Sequence, residues 1–441
     1  MKKILFALLL LLFLPCYVLA AGTCTETGVD SGVWEPATCS YDDVYQCTQE
    51  AGWSAGEKIV IPAGSATWSS ALTITDSITL EGQTSGCPDA CDDGTKLTSG
   101  GSNRLIDVSV STDKTIDISG FTLDADGYDR VMYVGNTSED TPLSNLRIHH
   151  NEIENTIATA ILLENLVFCL IDHNKFTSNY GDVKILGDNA NSWTLYPALV
   201  NLGSVNYVYI EDNVSTGFNH LAVSSGEGAR WIFRYNSIDG SSTATGDSFF
   251  DIHGDTQNRG CVAVEIYENV FPNASARRGI DFRGGTGIIY NNDWGSSSVY
   301  GGRTNIREEH DGCTYDPPGC DGSSGGDEVN NSYIWNVTQT STGNDIDVVE
   351  ADVYEHIEED TSWWDDNDNG SDNFTHDVAA SKPGTCSDDD CYWCTDTKQL
   401  YRCDGANNWT LIYTPYTYPH PLAVEASSIF SSGIISGGEI H

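Results

Sequence analysis

The chain has 441 residues with 21 basic and 64 acidic side chains, which gives a formal net charge of −43 at neutral pH. A surface of this sign repels nucleic acid and anionic membranes, so neither is expected as a partner. The same charge favours solubility and attracts divalent cations.

The first twenty residues have the features of a secretory signal. Lys2 and Lys3 precede an apolar run that is too short to span a bilayer, and small residues near Ala20 offer a cleavage site. The sequence therefore predicts a secreted or extracellular protein, periplasmic or cell-surface locations included, with no membrane insertion. Of fourteen cysteines, the thirteen that follow the signal predict disulfides in the exported chain, and Cys87 with Cys91 has the spacing of a short loop staple.

A short pattern recurs through the middle of the chain: an apolar residue, two variable residues and then asparagine. It ends at Asn151, Asn174, Asn213, Asn236, Asn269 and Asn292, with spacings of 23, 39, 23, 33 and 23 residues. The residues before each asparagine alternate as in a β-strand. Such strands bury their apolar side by closing into stacked coils, and stacked asparagines can hydrogen-bond one another. We therefore predict an all-β fold, a right-handed parallel β-helix solenoid with these asparagines in one column.

Composition divides the chain into four parts. Residues 1–20 are the signal peptide, 21–57 form a Cys-rich N-terminal cap, 58–345 form the parallel β-helix and 346–441 form a Cys-containing C-terminal cap region. A cap is expected at the N-terminal end because an uncovered strand edge invites pairing with other chains.

The residues two positions before each repeated asparagine form a second regular series. They share one outward position in each coil and include His149, Asp172, Glu211, Arg234, Tyr267 and Tyr290. An exposed row of this kind would be either a sugar-binding groove or simply a hydrated face.

Acidic residues and a histidine cluster between 247 and 255. Asp247, Asp251 and His253 are expected on the outward side of one strand, with the intervening Phe250 and Ile252 facing inward. Clustered carboxylates suit Ca²⁺, which takes several oxygen ligands, and could also supply the acid and base of glycoside hydrolysis. The alternative is an ordinary hydrated acidic surface.

Arginines follow this acidic cluster, although the chain as a whole is strongly acidic. Six lie between 259 and 307, among them Arg259, Arg278 and Arg283. Guanidinium groups bind carboxylates in a bidentate manner, so these arginines could bind an acidic ligand. They could equally pair with carboxylates of the chain itself.

The order of these motifs resembles that of the pectate lyases. The motifs are Asp247-x-x-x-Asp251, His253-Gly254, Asn269-x-Phe271, Arg278-x-x-x-x-Arg283 and Tyr290-Asn-Asn292, with Ile280 where the family motif has proline. The resemblance implies a Ca²⁺-assisted polysaccharide lyase that acts on an acidic glycan.

The resemblance also implies a role for each matching residue. Asp247 and Asp251 would be ligands of Ca²⁺, Arg278 the base of the β-elimination and Arg283 a clamp on the substrate carboxylate. We include Arg259 as a further substrate-binding candidate. His253 would be a simpler base, because the pKa of imidazole lies near neutrality.

Other stretches are similar to a group of environmental bacterial right-handed β-helix proteins of unassigned function. They are Val60-Ile-Pro-Ala-Gly64, Arg283-Gly-Gly-Thr-Gly287 and Tyr418-Pro-His-Pro-Leu422. Two hypotheses therefore stay open. One is the lyase, and the other is a non-catalytic extracellular adhesin or structural protein. Both have a polysaccharide or a cell-surface glycan as the expected partner.

A second calcium-binding pattern begins near residue 365. Asp365, Asn367 and Asn369 are followed by Gly370, as at the start of an EF-hand loop. His376 stands at the twelfth position, where that loop has glutamate. The pattern predicts either a structural Ca²⁺ turn or an acidic linker.

Overall fold

Three long parallel sheets, wound by successive coils of the chain, form the body of the molecule. The computed structural model describes residues 24–28, 31–101, 103–138, 141–187, 201–217, 221–239, 248–254, 260–272, 278–295, 304–307, 329–339, 344–345, 348–350, 363–366, 374–405 and 407–424. Along the solenoid, successive coils add strands to sheet A, then sheet B, then sheet C, before the chain returns to sheet A. This architecture confirms the right-handed parallel β-helix.

The strands are numbered β1–β38 in chain order. Within the described residues, sheet A contains β1 (Cys24–Glu26), β2 (Val33–Pro36), β3 (Lys58–Val60), β6 (Ile78–Glu81), β9 (Thr115–Ser119), β12 (Leu143–His149), β15 (Val167–Asp172), β18 (Val208–Glu211), β21 (Arg230–Arg234), β24 (Ala263–Tyr267), β27 (Thr286–Tyr290), β30 (Ser332–Trp335) and β34 (Trp363–Asp365). Sheet B contains β4 (Gly64–Trp68), β7 (Thr95–Ser99), β10 (Thr122–Asp124), β13 (Glu152–Glu154), β16 (Lys175–Thr177), β19 (Val214–Thr216), β22 (Ser237–Asp239), β25 (Val270–Phe271), β28 (Asp293–Trp294), β31 (Thr338–Gln339) and β32 (Asn344–Asp345). Sheet C contains β5 (Leu72–Ile74), β8 (Ile106–Val110), β11 (Met132–Asn136), β14 (Thr159–Glu164), β17 (Gly181–Leu186), β20 (Leu221–Gly226), β23 (Ser248–Ile252), β26 (Arg278–Phe282), β29 (Thr304–Ile306) and β33 (Val348–Glu350).

The repeated asparagines form one buried column, as the sequence predicts. The column runs through Asn151, Asn174, Asn213, Asn236, Asn269 and Asn292. At a typical step, the backbone N–H and the Nδ2 group of Asn213 donate to Oδ1 of Asn236 at 2.9 and 3.0 Å. Because each carboxamide is satisfied by its neighbours, the column fixes the register of successive coils.

A left-handed residue precedes each asparagine of the column. His150, His173, Asp212, Tyr235, Glu268 and Asn291 have φ values between 50° and 58°. This conformation turns the chain from sheet A towards sheet B and points these side chains outward at the corner. Asn336 occupies this corner position in the next coil, with φ 49°, so the asparagine column ends at Asn292.

The N-terminal end of the solenoid is covered by β1, β2 and the helix α1 (Tyr41–Ala51). Ser40 caps this helix, because its side chain accepts a hydrogen bond from the backbone N–H of Asp43. Val44 and Cys47 on the inner side of α1 are buried in the main core. At the other end, β33 and β34 continue the coils beyond residue 345, inside the range predicted as the C-terminal cap region.

The C-terminal region lies along the outward side of sheet A. It contains a four-stranded sheet D, formed by β35 (Phe374–Asp377), β36 (Cys391–Cys394), β37 (Gln399–Cys403) and β38 (Trp409–Tyr413), and then the segment 414–424. The indole ring of Trp393 lies 4.8 Å from that of Trp335 and 5.0 Å from the ring of Tyr290. These contacts belong to a second apolar cluster outside the coils, so this region is a lateral cover of the solenoid.

Three disulfides join described cysteines: Cys24–Cys47, Cys87–Cys91 and Cys386–Cys403. The predicted staple between Cys87 and Cys91 is therefore confirmed. Among the described residues, no helix has the length and apolar character needed to cross a membrane. The disulfides are compatible with an extracellular protein. The predicted signal peptide, residues 1–20, lies outside the described residues.

Candidate functional site

Three residues singled out by the sequence come together on the outward side of sheet C. Asp251 lies in β23, His253 follows that strand, and Arg283 directly follows β26. Phe250 and Ile252 are buried in the core on the other side of β23, as the alternation predicts. The inward residues thus hold the outward ones in position.

These residues belong to two parallel columns, which we call the sheet C charge cluster. One column contains Asp251, Asp281 and Asn305, and the other contains His253, Arg283 and Arg307. Nη2 of Arg283 donates to Oδ1 of Asp251 and lies 3.0 Å from Nδ1 of His253. Nε2 of His253 is 3.0 Å from Oδ2 of Asp251. Both carboxylate oxygens of Asp251 therefore already have cationic or imidazole neighbours.

The second carboxylate of the cluster is held in the same way. Oδ1 and Oδ2 of Asp281 accept hydrogen bonds from Nε and Nη2 of Arg307 at 2.9 and 2.7 Å. Nε of Arg283 lies 3.6 Å from Oδ2 of Asp281. For Arg283 and Arg307, the interpretation that arginines pair with carboxylates of the chain is the one that the structure confirms.

The electrostatics of Asp251 and Asp281 follow from these partners. Burial alone would raise the pKa of Asp251, but the hydrogen bond and charge of His253 and the charge of Arg283 outweigh it and lower the pKa to about 2. Burial alone would also raise the pKa of Asp281, but the hydrogen bond and charge of Arg307 and the charge of Arg283 outweigh it and lower this pKa. Both carboxylates are ionised at neutral pH, so the cluster is a network of ion pairs.

The remaining predicted residues of this region are only partly placed. The backbone of Arg278 opens β26 opposite Ser248, whereas its side chain, Asp247 and Arg259 lie outside the described residues. Among the side chains that the structure describes, no group of three or more His, Cys, Asp or Glu is arranged to hold a metal ion. Calcium binding through Asp247 and Asp251 therefore stays a prediction.

The other predicted calcium pattern begins in the last described coil. Asp365 ends β34, pairs with Ile334 of β30 and is buried. Asn367 and Asn369 lie outside the described residues, so a Ca²⁺ turn here also stays a prediction.

The row of residues before the asparagines forms a continuous line on the outward side of sheet A. Its members pair from strand to strand in the order His149, Asp172, Glu211, Arg234, Tyr267 and Tyr290. The expectation that this row is exposed is wrong, because the C-terminal region covers most of it. Glu211 and Arg234 are fully buried, and Tyr267 and Tyr290 nearly so.

The segment 414–424, which we call the C-terminal arm, is held to this row by polar contacts. Nε of Arg234 donates to Oε2 of Glu211 at 2.6 Å, and its Nη1 and Nη2 donate to the carbonyl oxygens of Tyr416 and Thr417, each at 2.9 Å. Oε1 of Glu211 accepts from the backbone N–H of His420 at 2.9 Å. A buried ion pair thus anchors the arm at two places.

A groove of about 260 Å³ opens between the arm and the corner of the solenoid. We call it the tyrosine groove. Arg234, Tyr267 and Tyr290 contribute to it from sheet A, and its other sides include Tyr235, Glu268, Lys398, Tyr416 and Tyr418. The rings of Tyr235 and Tyr418 lie 3.9 Å apart, and the hydroxyl of Tyr418 donates to Oδ1 of Asp212 at 2.8 Å. Glu268 and Lys398 place a carboxylate and an ammonium 3.8 Å apart at the groove.

Two histidines, His150 and His173, lie at the corner of the solenoid beside the N-terminal end of the same row. Nδ1 of His173 lies 2.8 Å from Oδ2 of Asp172, and the ring of His173 stacks on that of His150 at 4.9 Å. The hydrogen bond to Asp172 raises the pKa of His173, whereas burial and the adjacent histidines lower that of His150 to about 4. At neutral pH, His150 is therefore uncharged beside the more basic His173.

Comparison with protein-family models, with curated proteins and with solved structures finds no match to this chain. The residues of the tyrosine groove must therefore be judged from their own chemistry. Sequence reasoning missed Tyr235, Tyr416 and Tyr418 as site residues. The signal was the aromatic C-terminal stretch, which the sequence analysis assigned to the cap region.

Proposed function

We propose that the protein is an extracellular glycan-binding β-helix and that the tyrosine groove is its glycan site. The observation that carries the proposal is the combination of aromatic rings with a carboxylate and an ammonium in one groove. A sugar ring presents apolar C–H groups on one side and hydroxyl groups at its edge. Aromatic side chains beside a few well-placed polar groups provide the complementary surface.

The size and rigidity of the groove support a small ligand. A volume of about 260 Å³ is slightly below the usual range of ligand pockets, so the groove suits one unit of a longer glycan. The rings of Tyr267 and Tyr290 stack at 4.7 Å with an interplanar angle of 11°, and both are buried. Because these two side chains are already ordered, they lose little conformational entropy when a ligand binds.

Tyr418→Ala is expected to weaken glycan binding at least tenfold, because it removes one of the paired rings at the groove. The ligand is first selected by screening the purified protein on a glycan array, and its affinity is then measured by isothermal titration calorimetry. Tyr45→Ala removes another exposed tyrosine, from the distant helix α1, and should leave the affinity unchanged.

A second substitution separates ligand contact from movement of the arm. Glu268→Gln can keep the contact between Oε1 and Nδ2 of Asn291, so the corner of the solenoid stays in place. It should still weaken binding, since a charged acceptor becomes a neutral one. Absence of binding on the array, or equal affinities for all variants, would refute the glycan site.

Catalysis on an acidic glycan is a second candidate function. It is favoured by the convergence of Asp251, His253 and Arg283, which the resemblance to pectate lyases singles out. Asp251 orients the imidazole, as a carboxylate does for a general base. In the lyase, Arg283 would exchange its contact with Nδ1 of His253 for the substrate carboxylate, which would free that nitrogen to accept the proton.

A lyase is expected to release unsaturated product from polygalacturonate or alginate, detected by ultraviolet absorbance. In that case His253→Gln should reduce the rate at least a hundredfold, because the base is lost. His173→Gln removes an imidazole from the other face and serves as the control. A rate lost with a chelator and restored by Ca²⁺ would support the metal. No absorbance with either polymer, with or without Ca²⁺, would exclude this candidate for these substrates.

A further inference from the structure

A second cleft, of about 440 Å³, lies at the corner between sheets B and C, in the coils of β8 and β11. It is remote in sequence from the tyrosine groove and from the sheet C charge cluster. Its lining includes Asn103, Arg104, Asp107, Tyr128, Asp129 and Arg130. Two guanidinium groups therefore face one cleft of a chain that has three times as many acidic as basic residues, 64 against 21.

Arg104 is held in a fixed orientation. Its Nε lies 3.2 Å from Oδ2 of Asp107, and its guanidinium carbon lies 4.5 Å from the centre of the Tyr133 ring. The hydroxyl of Tyr133 in turn donates to Glu164 at 2.8 Å. This ion pair is made through Nε, and a guanidinium has five N–H donors, so donors remain for a ligand.

Arg130 differs from the paired arginines of the sheet C charge cluster. It is partly buried at the cleft and forms neither a hydrogen bond nor an ion pair with any residue that the structure describes. Asp107 is paired with Arg104, so it does not neutralise this second cation. A guanidinium left without a partner on such an acidic surface is a ready site for an external anion.

An apolar ridge leads away from the cleft along the solenoid axis, with Tyr128 partly buried and Ile157 and Tyr180 exposed. Tyr128, Ile157 and Tyr180 stand at the same corner of three successive coils. The backbone N–H of Ile157 donates to the carbonyl oxygen of Tyr128 at 3.0 Å, and Ile157 and Tyr180 are 60% and 42% exposed. Successive coils rise by about 4.8 Å, so the ridge offers a regular apolar track to an extended ligand.

We propose that this cleft binds the anionic group of an acidic glycan, a carboxylate or a sulfate ester, between Arg104 and Arg130. The neighbouring sugar units lie along the ridge formed by Tyr128, Ile157 and Tyr180. This site is independent of the tyrosine groove, and either can be present without the other.

The test uses the full mature protein and three probes of equal length: a galacturonate hexamer, a sulfated galactan hexamer and the uncharged cellohexaose. At least one anionic hexamer should bind in calorimetry at low salt, and Arg130→Gln should weaken that binding at least tenfold. Lys184→Gln removes one positive charge from the outward side of β17 and should change the affinity less than twofold. Tyr418→Ala should have no effect on this site.

Binding of only the galacturonate or only the sulfated hexamer would identify the anionic group. Failure of both to bind would overturn the proposal. Equal weakening by Arg130→Gln and Lys184→Gln would do the same, because it would show a general charge effect. Equal loss of cellohexaose binding in Arg130→Gln would also overturn it. The thermal unfolding midpoint of Arg130→Gln should equal that of the natural protein, since Arg130 has no partner among the described residues.

Discussion

Replacing Asn213 by alanine is expected to destabilise the β-helix by about 3–5 kcal/mol, since several buried groups lose their partners together. Oδ1 of Asn213 accepts from the N–H and Nδ2 of Asn174, at 2.8 and 3.1 Å. Its own Nδ2 donates to the carbonyl oxygen of Ile171 at 2.9 Å and to Oδ1 of Asn236 at 3.0 Å. Alanine replaces none of these contacts, and the site is too enclosed for water to do so freely.

The measurement is the shift of the urea unfolding midpoint relative to the natural protein. Asn145→Ala is the matched control, because Asn145 is an exposed strand asparagine whose Nδ2 makes one contact, with Asp113. Its effect should stay below about 0.5 kcal/mol. An effect of Asn213→Ala as small as that of the control would show that the asparagine column does not carry the stability of the coils.

Arg234→Met is expected to destabilise the protein by about 3–5 kcal/mol and to release the C-terminal arm. The substitution leaves the buried carboxylate of Glu211 without its cation and removes two donors to the arm. Urea unfolding measures the loss of stability, and limited proteolysis after residue 413 measures release of the arm.

The pH dependence of this effect follows from Glu211. Burial raises its pKa, and the charge of Arg234 opposes that rise. Without Arg234 the pKa rises further, so the folded state holds a proton that the unfolded state releases above its ordinary pKa. The stability difference between Arg234→Met and the natural protein should therefore grow as the pH rises from about 5 to 8.

A double variant provides the control. Glu211→Gln with Arg234→Met removes both charges and can keep the contact between the side-chain oxygen at 211 and the N–H of His420. It should recover most of the stability, because replacing both members of a buried pair is far less costly than removing one. If the single and double variants lose equal stability, the charge of Glu211 is not what makes Arg234 important.

The local pattern was sufficient to predict the β-helix and its asparagine column. The periodicity around Asn151 and Asn292 depends on backbone geometry that repeats in every coil, so short sequence windows contain it. The helix α1 was missed although Ser40 and Asp43 form a recognisable N-terminal cap, because a single helix gives no repeat. Local signals of this kind are weak beside a recurring one.

The candidate sites were less predictable because they depend on contacts between distant segments. The sequence placed Asp251, His253 and Arg283 among the candidate residues, but it left open whether the arginines bind a ligand or pair with carboxylates of the chain itself. The burial of Arg234 and Glu265 could not be anticipated, since they are contacted by residues some 150 to 180 positions later in the chain. The contacts of such an arm do not recur at the spacing of the coils, so no sequence repeat indicates them.

The same arm changes how the coils depend on one another. In a solenoid each repeat contacts only its neighbours, so disorder can begin at one end and spread one repeat at a time. Here Tyr413, directly before the arm, binds Glu265, and within the arm Tyr418 binds Asp212 and His420 binds Glu211, so residues 413–420 tie together coils that do not touch. The coils beneath the arm should therefore open together, as one cooperative block, while those before β15 remain free to open singly from the N-terminal end.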